Sequence, residues 1–311
     1  MAFTDMTELN RRFCTDYKVP LKIFNGDVFI ERIKLFGFYD TYKEYIAEIE
    51  KRFSDVQSYF EYYNSVKEKA MAYIKDSKAY TELQKTEFKV KSSYAQSDVY
   101  KETNIGKSFI SIDMRKANFT ALKHFGHSIG AEFCEGSYED WLTEFTDVKA
   151  IIKSKYIRQV IFGNCNPKHQ IAYEKYLMHV LLDKLIEAEQ IKETDVVSFM
   201  SDEIILSAET ISYEQYLGLK AYIEDIVDFD VRVEYYKLFR INGTDGYIRE
   251  IQDGVNKISD IKCLNSEDAP FVYRFLDGDS YDESDYLFWH NHKLARFLEA
   301  PNISISGDEV K

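Results

Sequence analysis

Between Ser108 and Ile251 two kinds of hydrophobic pattern follow one another in a fixed order, and that order restricts the fold more than any other feature. Ser108-Phe-Ile-Ser-Ile-Asp113 reads as a strand ending in a carboxylate. Helical patterns follow over Arg115–Phe125, from Ser137-Tyr-Glu-Asp140 (a capping-box-like start) through Phe145, and over Lys149–Phe162. Asn166-Pro167 opens another helix, an N-cap residue type followed by proline at the first helical position. It should run to about Glu189, with Ile171, Met178, Leu181, Leu182 and Leu185 on its buried face. Two short β-type runs, Val196–Met200 and Ile204–Leu206, then flank Ser201-Asp202-Glu203. Ser212-x-x-Gln215 caps a helix to about Val227, and Val231–Ile241 reads as a strand. Asn242-Gly-Thr-Asp-Gly246 is a turn into a return strand, Tyr247–Ile251.

The order is β-α-β-β-α-β. It predicts an α+β domain on the split βαβ (ferredoxin-like) plan, an antiparallel sheet with helices on one face. In that plan the end of the first strand and the tip of the middle hairpin can be neighbours, which would set Asp113 beside Asp202 and Glu203. Carboxylates held together at a hydrophobic hairpin repel one another and lose hydration unless a cation or a proton sits between them. Taken alone, Ser201-Asp202-Glu203 is equally an ordinary solvated turn.

The remainder of the chain frames this core. Residues 1–105 read as a mostly helical region, with apolar residues at helical spacing from Asp27 to about Phe53, a break at Gly37, and a further helix over Ser54–Lys75. Residues 80–106 are polar and mark a surface segment and boundary. The expected domains are 1–105, a palm-like α+β domain over 106–257, and a small region over 258–311 with a helix near Asp285–Leu298 and a loose tail at Ile303–Lys311. The chain has 311 residues, 45% hydrophobic and 30% charged, with only 4 prolines. These values favour a globular protein over linkers or low complexity. The four cysteines, Cys14, Cys134, Cys165 and Cys263, lack paired spacing, which argues against zinc and for a reducing compartment. No secretory segment opens the chain and no apolar run reaches membrane-spanning length, so the expectation is a cytoplasmic protein with no membrane contact. A net charge of −13 opposes non-specific binding to a long nucleic acid, so a nucleic-acid function requires a local basic channel.

Lys149, Lys153, Lys155, Arg158 and Lys168 supply a candidate channel, since Asp147 is the only acid between residues 147 and 170. The six histidines form no metal-ligand set, and no glycine-rich phosphate motif or nucleophile elbow is present.

At these residues the sequence resembles the palm and fingers of template-directed polymerases, over roughly residues 105–250. Phe109-Ile-Ser-Ile-Asp113 is similar to their first strand-end aspartate motif. Ala117, Asn118 and Phe119 echo the reverse-transcriptase version, in which alanine and an aromatic residue follow. Ser201-Asp202-Glu203-Ile204 resembles the His-Asp-Glu-Ile motif of family A DNA polymerases, with Ser201 in place of His. Arg158-Gln-Val-Ile-Phe162-Gly163 resembles their fingers motif. Ser154 stands where that family has an arginine, and its following Tyr-Gly is absent.

The resemblance implies a nucleotidyltransferase using Mg²⁺ or Mn²⁺. Asp113 and Asp202 would hold the metals and Glu203 would assist. Arg158 with Lys155 would hold the triphosphate, Lys153 and Lys168 would be further substrate-binding residues, and Phe162 would pack near the nucleotide. Asn118, five residues after Asp113, would meet the sugar and could hydrogen-bond a ribose 2′-hydroxyl. Nucleoside triphosphates and a DNA or RNA primer-template would be the partners. Two alternatives stay open: a non-catalytic palm-like protein that binds a protein partner, and a metal-dependent nuclease.

Overall fold

The computed structural model describes residues 6–90 and 94–307. Five helices come first: α1 (Thr7–Tyr17), α2 (Gly26–Leu35), α3 (Tyr39–Arg52), α4 (Val56–Asp76) and α5 (Lys78–Leu83). The expected break at Gly37 separates α2 from α3, where φ is +74°, a conformation that glycine adopts without a Cβ clash. Asp55 starts α4 by accepting the Ser58 N–H at 2.7 Å. The aromatic residues of this region are packing residues. Phe13 meets Tyr42 and Tyr45 edge-on, with ring centroids 5.2 Å apart in each pair.

Next come β1 (Ser108–Met114), α6 (Ala117–Ser128), α7 (Tyr138–Thr143), α8 (Lys149–Ile152), α9 (Lys155–Gly163) and α10 (Pro167–Glu187). The hairpin β2 (Val196–Phe199) and β3 (Glu203–Ser207) follows, then α11 (Tyr213–Ile226), β4 (Val231–Asn242), β5 (Tyr247–Asp253) and β6 (Asn256–Lys262). Last are α12 (Ala269–Asp277), β7 (Leu287–His290), β8 (Lys293–Arg296) and β9 (Ser304–Ser306). The capping boxes expected at Ser137–Asp140 and Ser212–Gln215 both form.

The protein is α+β, and its main sheet is antiparallel in the order β2-β3-β1-β4-β5-β6, with β9 added on β4. Strand alternation gives this sheet two different faces. Ile110, Ile112 and Met114 of β1 join a core shared with α1–α11, whereas Phe109 joins Tyr236, Leu238 and Ile251 on the opposite face, under Val99. One continuous core therefore includes both the N-terminal helices and the inner face of the sheet.

Several expectations change. The helix expected over Lys149–Phe162 is two helices, because Ser154 caps α9 by accepting the Ile157 N–H at 3.0 Å. Ile171 is 42% exposed; the buried stripe of α10 runs instead through Tyr173, Glu174, Leu177, Met178, Leu181 and Leu185. No helix forms near Asp285–Leu298. A 3₁₀ turn at Glu283–Tyr286 leads into the β7–β8 hairpin, closed by Asn291 and His292 at φ values of 46° and 61°. The helix of this region is α12 instead. In the tail, Ser304–Ser306 pairs with β4, and residues 308–311 lie outside the described ones, as do residues 91–93 of the expected surface segment. Among the described residues no helix is long and apolar enough to cross a membrane.

Two helical glycines should respond oppositely to alanine. A Cβ on Gly126 of α6 would lie 2.6 Å from the Ala131 carbonyl oxygen and 3.0 Å from Ala79 Cβ, so Gly126→Ala should cost about 1–3 kcal/mol. A Cβ on Gly218 of α11 meets nothing within 4 Å, so Gly218→Ala should stabilise by roughly 0.5–1 kcal/mol. Urea unfolding of the two variants checks both signs.

Candidate active site at the strand ends

β1 lies between β3 and β4, and its last residues gather the site. Asp113 stands opposite Glu203 on one side and Arg232 on the other. The Met114 N–H donates to the Asp202 carbonyl at 2.8 Å, so the hairpin tip is tied directly to the end of β1. A bond from the Met200 N–H to the Glu203 carbonyl, also 2.8 Å, closes the turn. The expected juxtaposition of Asp113, Asp202 and Glu203 is thus formed by backbone register.

Directly opposed residues share a face of the sheet. Ser111, Asp113 and Glu203 therefore project on the face of Phe109, away from the inner core. Ser111 Oγ donates to Glu203 Oε1 at 2.6 Å. Arg232 Nη2 lies 3.1 Å from Asp113 Oδ2 and its Nη1 3.5 Å from Glu234, which in turn pairs with Arg249 at 2.9 Å. Arg249 is 3% exposed and stacks on Tyr236, 4.1 Å from the ring centroid. The acids at the strand ends thus continue into a ladder of alternating charge across β4 and β5.

The electrostatics are asymmetric. Burial raises the pKa of Asp202, and the charge of Asp113 raises it further. Burial also raises Glu203, against the hydrogen bond from Ser111 and the charge of Arg249, while Asp113 and Asp202 push it up. Both groups would be relieved by a cation near Asp113 and Asp202.

The chain leaves β1 through Arg115, whose N–H donates to the Asp230 carbonyl at 2.9 Å, and Lys116, at φ 51°, which forms an ion pair with Glu139. It then enters α6. There Asn118 Nδ2 donates to Glu174 Oε1 of α10. Glu174 is 3% exposed. Burial pushes its pKa up to about 7, the Asn118 hydrogen bond opposes this, and Asp202 adds to it. Glu174 is the residue that sequence reasoning missed. Its signal was a glutamate at helical spacing with Met178, Leu181 and Leu185, a charge on an apolar stripe.

The expected basic residues separate. Lys155 opens α9 and is close enough to Asp113 to feel its charge; burial lowers its pKa, and Arg158, Lys18 and Lys262 lower it further. Arg158 lies over the Tyr138 ring, 5.5 Å from its centroid. Lys153 lines a different cavity, with Tyr17, Glu48, Lys51 and Arg52. Lys168 is exposed in the first turn of α10, next to Asn166, which bonds Gln84. Phe162 is 0% exposed and packs on Phe119 and Trp141, so its ring is not available to a nucleotide. It belongs to the apolar side of α9 with Ile157 and Ile161. A cavity of about 460 Å³ opens beside α6, lined by Lys116, Lys123, His124, Tyr138 and Asp230.

Among the described residues no three or more His, Cys, Asp or Glu side chains converge as a self-sufficient metal cage. Two carboxylates, Asp113 and Asp202, with Asp202 resisting ionisation, fit a hard divalent ion whose remaining ligands are phosphate oxygens and water. Glu203, engaged by Ser111, fits a supporting position better than a direct ligand. No protein-family model matches this chain, and no curated protein matches its sequence.

The raised pKa of Glu174 has a definite stability consequence. Between about pH 4.5 and 7 the folded chain holds a proton on Glu174 that the unfolded chain releases, so stability falls as pH rises through this window. Asp16, buried and also pushed up to about 7, acts with the same sign. Glu174→Gln should flatten the loss between pH 5 and pH 8 by roughly 2–3 kcal/mol, measured by urea unfolding at the two pH values.

Proposed function

We propose that the protein is a divalent-metal-dependent nucleotidyltransferase, a compact template-directed polymerase that joins a nucleotide to a hydroxyl and releases pyrophosphate. The observation that carries this reading is the pairing of Asp113 and Asp202 at the end of β1 and the hairpin tip, where Asp202 is held close to a second anion and resists its own charge. The strand order β2-β3-β1-β4, with helices joining β1 to β2 and β3 to β4, supports the ferredoxin-like palm expected from the sequence.

Asp113 and Asp202 would hold Mg²⁺ or Mn²⁺ together with substrate phosphates. Bound there, the metal would supply Lewis-acid stabilisation of the phosphoryl oxygens and a more acidic attacking hydroxyl. Lys155 and Arg158 stand on the helix segment between the two motifs and offer positive charge to a triphosphate, Arg158 with a fork that can bind two oxygens at once. Glu203 acts through Ser111 to hold the start of β3 against β1. Among the described residues no hydrogen bond or ion pair joins Lys153 or Lys168 to these groups. The charges of Arg158, Lys18 and Lys262 that act on Lys155 suit contact with a few phosphates in a chain of net charge −13.

One observation favours a second reading, a palm-like protein that binds a partner without catalysis. Arg232 already answers the charge of Asp113, as an arginine would where no metal is needed.

Incubation with labelled nucleotides and DNA or RNA primer-templates, in Mg²⁺ and Mn²⁺ in parallel, separates the readings. Extended products are expected, with Asp113→Ala and Asp202→Ala each reducing extension by about 10²–10³-fold, the scale for removing one preorganised electrostatic group. Unchanged extension in both variants removes the site assignment. Shortened strands would mean a nuclease, and absence of both products together with no Mn²⁺ binding would leave the non-catalytic reading.

A further inference from the structure

Two arginines, Arg12 and Arg158, have neither a hydrogen bond nor an ion pair among the described residues, whereas every other arginine has one or both. Arg158 has a place in the proposed triphosphate site. Arg12 belongs to a separate cavity of about 480 Å³, bounded by α1, α4 and the first turn of α9. Its guanidinium is held there by rings. The centroids of Phe60, Tyr63 and Tyr156 lie 5.4, 4.6 and 5.1 Å from its central carbon. Ring faces hold a cation through its charge and leave its N–H edge free. None of the Arg12 nitrogens is among the buried polar atoms without a partner, so they are open to solvent in the cavity. The charge of Asp16 reaches Arg12, but burial pushes the Asp16 carboxyl up to about 7, so near neutral pH it answers the arginine only in part. The rings have already ordered a long, rotamer-rich side chain, and a ligand does not have to meet that entropy again.

A guanidinium fork matches two oxygens in one plane. A carboxylate would use both of its oxygens on the fork, but this cavity offers more donors. Asn64 Nδ2 has no partner among the described residues, while its Oδ1 accepts from Lys67 Nζ at 2.9 Å. Arg11 stands at the rim, paired with Glu8 at 2.9 Å. A third oxygen can therefore be bound, which favours a phosphate group. The volume is that of a small-molecule site rather than of a bare ion. We propose that this cavity binds a small phosphate monoester, its phosphate held by the Arg12 fork and Asn64, at a site distinct from the strand-end carboxylates. Tyr156 of α9 forms one wall, so the ligand sits where α1 and α4 hold the first turn of that helix.

The test is isothermal titration of the full chain with phenyl phosphate, inorganic phosphate and acetate in metal-free buffer at pH 8, where the phosphates are dianions. Saturable binding of phenyl phosphate is expected at millimolar concentration, with inorganic phosphate a few-fold weaker and acetate weaker by about tenfold or more. Arg12→Lys keeps the charge but loses the fork, and should weaken phenyl phosphate by about tenfold. Asn64→Asp puts a negative charge on an exposed position of the rim and should weaken it by a few-fold at low salt; it decides the matter if Arg12→Lys fails to fold. Arg158→Gln should leave this binding unchanged. Equal binding of the two phosphates overturns the ester, and acetate binding as tightly as phosphate overturns the phosphate class. No saturable binding, binding unchanged in both Arg12→Lys and Asn64→Asp, or binding lost in Arg158→Gln instead overturns the site. No metal and no turnover are involved, so each of these outcomes leaves the nucleotidyltransferase reading standing.

Discussion

The antiparallel register of β1 between β3 and β4 is the constraint on which the rest of the structure depends. It sets Asp113 opposite Glu203 and Arg232, and the Met114–Asp202 backbone bond locks the hairpin tip to the end of that strand. A slip of one residue would turn every side chain of β1 to the other face. Asp113 would then enter the core now filled by Ile112 and Met114, and Phe109 would leave its stack on Tyr236. Apolar burial on both faces of one strand thus fixes the placement of a charged group that contributes little burial itself.

Around that strand the acids are arranged by environment. On the Phe109 face, Glu203, Glu234 and Asp113 are matched by Ser111, Arg249 and Arg232, so negative charge is distributed along a ladder. Toward α6 and α10, Asp202 and Glu174 have fewer matching donors, and both are pushed toward their protonated forms. An ion pair already present on one side and a deficit of positive charge on the other mean that an added cation would be held best on the Asp202 side of Asp113.

Much of this was legible in the sequence because it rests on periodicity and capping. Strand β1, the β2–β3 hairpin, α10 and the Ser212 cap are local patterns, and they formed where the residues indicated. The antiparallel order of the sheet followed from their sequence. Residues whose environment is set by distant partners were not legible. Glu174 becomes a site residue only through Asn118, 56 positions away. Phe162 reads as a nucleotide contact only through the resemblance of Arg158–Gly163 to a polymerase fingers motif. The core beneath α9, with Phe119 and Trp141, takes the ring while the arginine reaches outward along Tyr138. The C-terminal hairpin was misread as a helix because Leu287–Arg296 mixes aromatic, histidine and basic residues without clear alternation, and its turn uses Asn291 and His292 rather than glycine.

The N-terminal helices, which showed only amphipathic packing in the sequence, reach the site through α9. Ser154 caps that helix with its oxygen and donates the same hydroxyl to Asp16 of α1 at 2.6 Å, and Asp16 is 1% exposed. Arg12, one turn earlier on α1, stacks on Tyr63 of α4 and on Tyr156 of α9, 4.6 and 5.1 Å from their centroids. Both contacts fall on the first turn of α9, where Lys155 lies close enough to Asp113 to feel its charge and Arg158 follows. A short helix of nine residues has little stability of its own in water. Its basic residues keep their place because α1 and α4 hold its first turn from behind, so the helical module is part of the machinery that arranges charge at the strand ends.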